Sequence, residues 1–377
     1  MKWEKKKLCE CTEYITDGDH QPAPKADKGV HFIKIKDIVN NQVSFDAQVY
    51  VPQEYYDNLP MERKPQKEDV LYTVVGSFGI PSYVQTDELF CFERNIALLH
   101  PNKAIEPRFL YYSLKNPAFY KGVEIVANGS AQKLIPLSKL KDLKISVPDK
   151  EAQHRIADIL SVYDNLIENN QKQIKLLEEA ARRFYKEWFV DLRFPGHENT
   201  KIVDGVPEGW SRGLLKELIS VNYGKDHKKA PDDGNIPVYG SGGLMRKCNK
   251  SLFSGEAVLI PRKGSLNNIM YVDETFWTVD TMFYATMKQP HTAVFVYFFV
   301  KAFDMYSMNI GAAVPSMTTK ILDAMDVVIP DKETLEKFDK LTKTYFNKIK
   351  TLQGQNERLK IARDLLLAKL MSGEVEV

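Results

Sequence analysis

A chain of 377 residues with 52 Lys+Arg, 50 Asp+Glu, a formal net charge of +2 and 44% hydrophobic residues is long enough for two or three domains and too apolar to be disordered. It has no run of 18 apolar residues (His291–Phe303, the longest candidate, is too short and carries Lys301), no apolar stretch behind the N-terminal lysines, and no CxxC pair among its four cysteines. The expectation is a soluble, cytoplasmic protein without membrane span, secretory leader or disulfide framework.

The first half reads as strands and turns. VHFIKIKDIV (Val30–Val39) and DVLYTVVG (Asp69–Gly76) are β-branched and aromatic, punctuated by Gly and Asp. FLYYSLKN (Phe109–Asn116) reads as one short buried helix.

Asp149 to Leu192 is different in kind. Apolar residues recur at Ile156, Ile159, Tyr163, Leu166, Ile174, Leu177, Ala181, Phe184 and Trp188, in threes and fours, which is the seam of an amphipathic helix. Asp149 after Pro148 suits its N-cap, and Pro195-Gly196 stops it. A helix of about 40 residues reaches roughly 60 Å, more than a small domain core needs. Such a stripe wants a partner helix of matching length.

The second half again reads as strands in AVLIPRKGS (Ala257–Ser265) and NIMYVDETFWTV (Asn268–Val279), with a short buried helix in FVYFFVKAF. Lys225–Lys263 holds eight basic and four acidic residues around Tyr239-Gly240-Ser241-Gly242-Gly243. That composition suits phosphate and base-edge contacts, and it also suits an ordinary solvated surface. The partner helix follows at Asp331–Ser372, with a seam at Leu335, Phe338, Leu341, Tyr345, Ile349, Leu352, Leu359, Leu366 and Leu370. Asn170 and Asn356 lie on the two stripes, either buried to fix register or facing water.

The halves are copies. Gly129–Glu151 aligns without gaps onto Gly311–Glu333 with seven of 23 positions identical: Gly129/Gly311, Ala131/Ala313, Leu140/Leu322 and Pro-Asp-Lys-Glu. Upstream, Glu68–Leu71 and Gly76-Ser77 match Glu256–Leu259 and Gly264-Ser265, and Trp3 with Leu8 and Glu10 echoes Trp210 with Leu215 and Glu217. The domain expectation is 1–148 globular, 149–195 long helix, 196–330 globular and 331–377 long helix. The fold class is α+β: two tandem mixed α/β domains and an antiparallel coiled coil, duplicated about a pseudo-two-fold.

Catalytic signatures are missing. There is no GxxxxGK[ST], no Pro-Pro for an amino-methyltransferase pocket, and neither Pro148-Asp149 nor Pro231-Asp232 is followed at nuclease spacing by Glu/Asp-x-Lys. The seven histidines are scattered, and His20 and His227, in similar places after Asp19 and Asp226, read as turn residues. YGSGG lacks the strand and helix that would make it a nucleotide loop.

IPVYGSGG (Ile236–Gly243), VLIPRKGS (Val258–Ser265), FWTVDTMF (Phe276–Phe283), GSAQ (Gly129–Gln132), the two Leu…Pro-Asp-Lys-Glu junctions and EAQHRIADILSVYDNLIENN with its C-terminal counterpart resemble the DNA specificity subunit of type I restriction–modification enzymes, over essentially the whole chain. The resemblance implies a non-catalytic DNA-binding protein. Each globular half would be a target recognition domain for one half of a split double-stranded site. The helices would set the spacing and dock methyltransferase subunits, two of them, alongside restriction/translocase subunits. S-adenosylmethionine, ATP and Mg²⁺ would belong to those partners, with no cofactor of this chain's own.

Val206–Trp210 (Val-Pro-Glu-Gly-Trp) has no full counterpart beyond Trp3, and VHFIKIKDI stands in the first half where the second has YGSGG, so the halves should read different sequences. The candidate DNA contacts are Lys34, Lys36, Ser77, Arg94, Ser130, Gln132 and Lys133 in the first half, and Tyr239, Ser241, Arg262, Lys263 and Ser265 in the second. Lys34 and Lys36 read equally as the solvent face of a strand. A stand-alone DNA-binding regulator and a coiled-coil protein scaffold are the other functions this architecture would serve.

Overall fold

The computed structural model describes residues 2–127, 133–308 and 316–377. The chain divides into two compact units, Met1–Asn169 with Gln355–Val377, and Asn170–Gly354.

In the first unit an antiparallel sheet runs in the order Thr12–Asp17, Ile96–Pro101, Val70–Thr73, Pro81–Tyr83. Its central strands are apolar at successive positions because both faces are covered. Val70, Tyr72, Ala97 and Leu99 pack toward Phe109 and Leu110 of helix Pro107–Lys115, and toward Ile156, Leu160, Leu367 and Leu370 of the long helices. Leu71, Ile96 and Leu98 take the opposite face, against Ile33, Phe90 and Phe92, as the two-residue period of a strand requires. Phe90–Phe92 pairs in parallel with Val30–Ile33. A ribbon of Glu4–Lys7 with Lys144–Val147 closes the unit near the long helices.

The second unit repeats this plan. Its sheet runs Ile219–Tyr223, Met282–Met287, Phe253–Pro261, Met270–Thr278, Ile236–Gly240, Gly243–Cys248. Val258, Ile260, Phe283 and Ala285 pack toward Tyr185, Phe295 and Phe338, whereas Ala257, Leu259 and Met282 pack toward Val272 and Phe276. The parallel pairing recurs, with Val238 opposite Trp277, so IPVYG takes the position that VHFI takes in the first unit. The ribbon recurs as Ser211–Leu214 with Asp326–Ile329.

The long helices are Lys150–Tyr185, continued by a π-turn at Lys186–Val190, and Lys332–Ser372. Asp149 Oδ1 accepts from Ala152 N at 2.9 Å, and Asp331 Oδ1 accepts from Thr334 N at 2.9 Å, as N-caps should. Within the first unit the helices run antiparallel: Leu160 shares a core with Leu367, the Arg363 guanidinium pairs with Asp164, and Asn356 donates to the Ile167 carbonyl. They also run antiparallel within the second, where Phe184 stacks near Tyr345 and Trp188 meets Phe338.

The seam departs from the sequence expectation by one residue at several turns, where Leu160, Ile167 and Leu367 take the core places beside Ile159, Leu166 and Leu366. Leu166 is 45% exposed and Ile167 is 6% exposed, because a helix of 3.6 residues per turn drifts away from a strict seven-residue stripe. Asn170 and Asn356 are both buried.

Candidate nucleic-acid interface

The candidate residues are best located from the backbone of one sheet end, which is built alike in both units. In the first, the strand Thr12–Asp17 leaves through Gly18, where an added Cβ would lie 2.2 Å from the Phe92 carbonyl oxygen. In the second, Ile219–Tyr223 leaves through Gly224, where a Cβ would lie 1.9 Å from the Val279 oxygen. Only glycine permits that approach. Next, Val74 N donates to Asn95 O at 2.9 Å and Ile135 N to Val74 O at 2.9 Å. Arg262 N to Thr281 O at 2.8 Å and Met317 N to Arg262 O at 2.9 Å are their counterparts. The bridges Val75–Leu134 and Lys263–Ser316 complete the match.

In the second unit this end gathers Ser241, Arg262, Lys263 and Ser265. Asn268 Nδ2 donates to the Ser241 carbonyl at 2.9 Å, tying the Ser241-Gly242 turn to the Arg262–Asn268 loop. Gly264, at φ +84°, has no room for a Cβ beside Ser241 Oγ. The Tyr306 hydroxyl donates to Gly264 O at 3.2 Å, and Asn267 holds Asp304 and Met305 N. The Arg262 guanidinium lies over the Tyr223 ring at 5.5 Å and donates to the Asp280 carbonyl at 3.3 Å. Lys263 and Ser265 are exposed. Tyr239 is placed otherwise: its hydroxyl donates to Glu274 and its ring packs near Phe276, within the sheet.

The rest of the basic stretch divides by role. Lys225, Lys228, Lys229, Lys247 and Lys250 are exposed. Arg246 instead clamps its own loop, pairing with Asp232 and donating to the His227 and Ala230 carbonyls.

In the first unit the candidates form two groups at the same sheet end. Lys34 and Arg94 line a cleft of about 410 Å³ with Asp19, His20, Tyr50 and Glu93. Its acids are already engaged: Ile35 N donates to Glu93 at 2.7 Å, and Asp19 accepts from Tyr55 and Arg63. Burial pushes the Asp19 carboxyl up, but the Gln21 amide, the Tyr55 hydroxyl and Arg63 outweigh it and hold it below the usual range. Ser77 and Lys133 form the other group. Lys133 Nζ sits 5.5 Å from the Phe78 ring, which stacks on Tyr120, and Lys133 O accepts from Gly76 N at 3.3 Å. Lys36 is exposed on a 3-10 turn at Ile35–Asp37. Ser130 and Gln132 lie outside the described residues. His20 bonds Asp17 within its own turn.

Tyr223, Tyr306, Asn267 and Asn268 were not among the sequence candidates. Their partners are tens of residues away, so no local spacing marks them; the alternation of Tyr223 out of a strand was the one available signal. Among the described residues, no group of three or more His, Cys, Asp or Glu is placed to hold a metal ion, and no helix is long and apolar enough to cross a membrane.

The family described as the type I restriction modification DNA specificity domain matches residues 1–179 and 207–360. The chain is 24% identical over 404 residues to the putative type I restriction enzyme MjaX specificity subunit of Methanocaldococcus jannaschii, spanning 100% of this chain and 94% of that protein. It is 23% identical over 449 residues to the HindI specificity subunit of Haemophilus influenzae, spanning 92% and 94%. The crystal structure of a type I restriction–modification S subunit from M. genitalium shares the fold, with TM-score 0.60, 20% identity and coverage of 98% of this chain and 96% of that one.

Proposed function

Because the chain belongs to the type I restriction modification DNA specificity family, we propose that it reads a bipartite double-stranded DNA site, one half with each unit. The observation that carries this is the recurrence of one sheet end on an identical backbone plan with different side chains. Where the first unit has Val74-Val75, the second has Arg262-Lys263. A scaffold shared to that detail with the side chains it carries changed is what two readers of different sequences need. Lysines and arginines at these ends would hold phosphates, and polar loop side chains would reach base edges.

The chain is the specificity component and carries no chemistry of its own in this reading. Methyltransferase subunits, two of them, would dock on the paired helices, and restriction/translocase subunits would join them. S-adenosylmethionine, ATP and Mg²⁺ would enter with those partners. Modification would then fall only where both half-sites are bound at once.

The test is an exchange. Replacing residues 1–148 with the first domain of another family member should change one half of the methylated motif and leave the other intact, mapped as methylated adenines in cells that also express the methyltransferase. A motif altered in both halves, or methylation that follows no bipartite motif, would refute the reading.

A further inference from the structure

Arg262 is a candidate base-reading cation whose side chain is held both by an aromatic ring and by a hydrogen bond. Its guanidinium lies over the ring of Tyr223, 5.5 Å from the centroid, and Nη1 donates to the Asp280 carbonyl at 3.3 Å. Tyr223 is itself fixed, packed edge-on against Phe283 at 5.0 Å while remaining 53% exposed. A planar cation stacked on an aromatic face keeps its remaining N–H groups in one plane and loses little freedom when they are used.

The fold does not require an arginine there. At the equivalent position of the first unit, Val74 makes the same two backbone hydrogen bonds and is buried. The residue before Gly18, matching Tyr223 before Gly224, is Asp17, which bonds His20. So the stacked pair belongs to the second unit alone, while the backbone that carries it belongs to both. A side chain that the scaffold can dispense with, yet that is oriented by an aromatic ring and a carbonyl, has the attributes of a reading group.

Its chemistry names the target. Guanine offers two acceptors, O6 and N7, side by side in the major groove, and a fixed guanidinium edge matches both; adenine presents a donor in place of one of them. Lys263 beside it is a flexible exposed point charge, suited to a phosphate. We propose that Arg262 reads a guanine in the half-site of the second unit, with Tyr223 as its positioning residue; this rests on the reading of that unit as a DNA-recognition domain.

The experiment maps methylated motifs in cells expressing the full chain with its methyltransferase. The half-site of the second unit is first identified as the one unchanged by the 1–148 exchange. Arg262→Ala should relax a single guanine of that half-site, with loss of discrimination of about ten- to a hundredfold, the range of one bidentate contact. Tyr223→Leu should relax the same position more weakly, a positional readout that a general packing defect would not give. Lys263→Ala should lower methylation at all sites and leave the motif unchanged. Arg262→Lys keeps the charge and should still relax the position.

Binding of purified methyltransferase complex to duplexes carrying each base at that position gives the same comparison without cell growth. If Arg262→Ala leaves every position of the motif as strict as before, or relaxes only an A·T position, the assignment is overturned while bipartite recognition stands. If the exchange of residues 1–148 gives no one-sided change, the parent reading falls, and the guanine assignment with it.

Discussion

At the scale of the residue, the first unit contains a cation in an unfavourable place. Lys115 is largely buried, bonds the Tyr111 hydroxyl at 3.1 Å and lies 3.9 Å from Asp164, which also takes Arg363 and the Tyr112 hydroxyl. Burial lowers its pKa to about 8 from 10.5; Asp164 acts the other way, while Arg363 and Lys360 add to the depression. A lysine with a folded pKa below its unfolded value binds fewer protons folded than unfolded between those limits, so stability rises with pH across that window. The penalty is present in full below about pH 8 and is lifted toward pH 10. Thermal unfolding of wild type should therefore gain on Lys115→Met between about pH 8 and pH 10, beyond which the tyrosines also titrate. Parallel curves for the two proteins would show that Lys115 is solvated as an ordinary surface lysine.

At the scale of the element, the two long helices begin with the same Pro-Asp-Lys-Glu but are not fixed alike. Asp149 caps Ala152 N, whereas Asp331 accepts from the Thr334 amide, the Thr334 hydroxyl and the Trp210 indole N–H at 2.9 Å. Burial pushes the Asp331 carboxyl up, yet those donors outweigh it and hold it below 3.8, so its contribution is present above that pH and fades as pH falls below it. Asp331→Ala should destabilise by about 2–4 kcal/mol, a lost cap plus a buried indole N–H left unpaired, against about 1 kcal/mol for Asp149→Ala. Equal losses in chemical denaturation would mean that the indole bond adds nothing. The contrast was half legible in the sequence. Period and caps marked both helices because those signals are local, and the repeat revealed the duplication. The Trp210–Asp331 bond joins positions far apart in the chain, so nothing local marked it. The same holds for the parallel pairing of Val238 with Trp277 and for Tyr223 beneath Arg262. Among the candidates, Arg262 stood out by its charge beside a matched Gly-Ser, while Tyr239 stood out by composition alone and turned out to bond Glu274.

At the scale of the whole molecule, each long helix supplies one stretch to each unit, and the division falls at 169/170 and 354/355. Four residues inserted after Gln171 and four near Thr351 come close to that division and leave the contacts deep inside each unit in place. They keep helical phase roughly and add about 6 Å, close to two base pairs of B-DNA at about 3.4 Å each. If the helices set the spacing, the longer protein should methylate the same two half-sites with a wider gap. An unchanged gap in the mapped motif would remove that role from them.

The central strands of both units look two ways. Val70, Tyr72, Val258 and Ile260 are committed to the helices, and Leu71 and Leu259 to the outer layer, while the loops that follow these strands are held to the sheet by main-chain bonds. A change of side chain at position 74 or 262 therefore leaves the main-chain hydrogen bonds of that turn in place. In the language of inheritance, such a molecule separates its vocabulary from its grammar: variation can accumulate at the sheet end and alter what is recognised, while the strands behind it, buried on both faces, tolerate almost none.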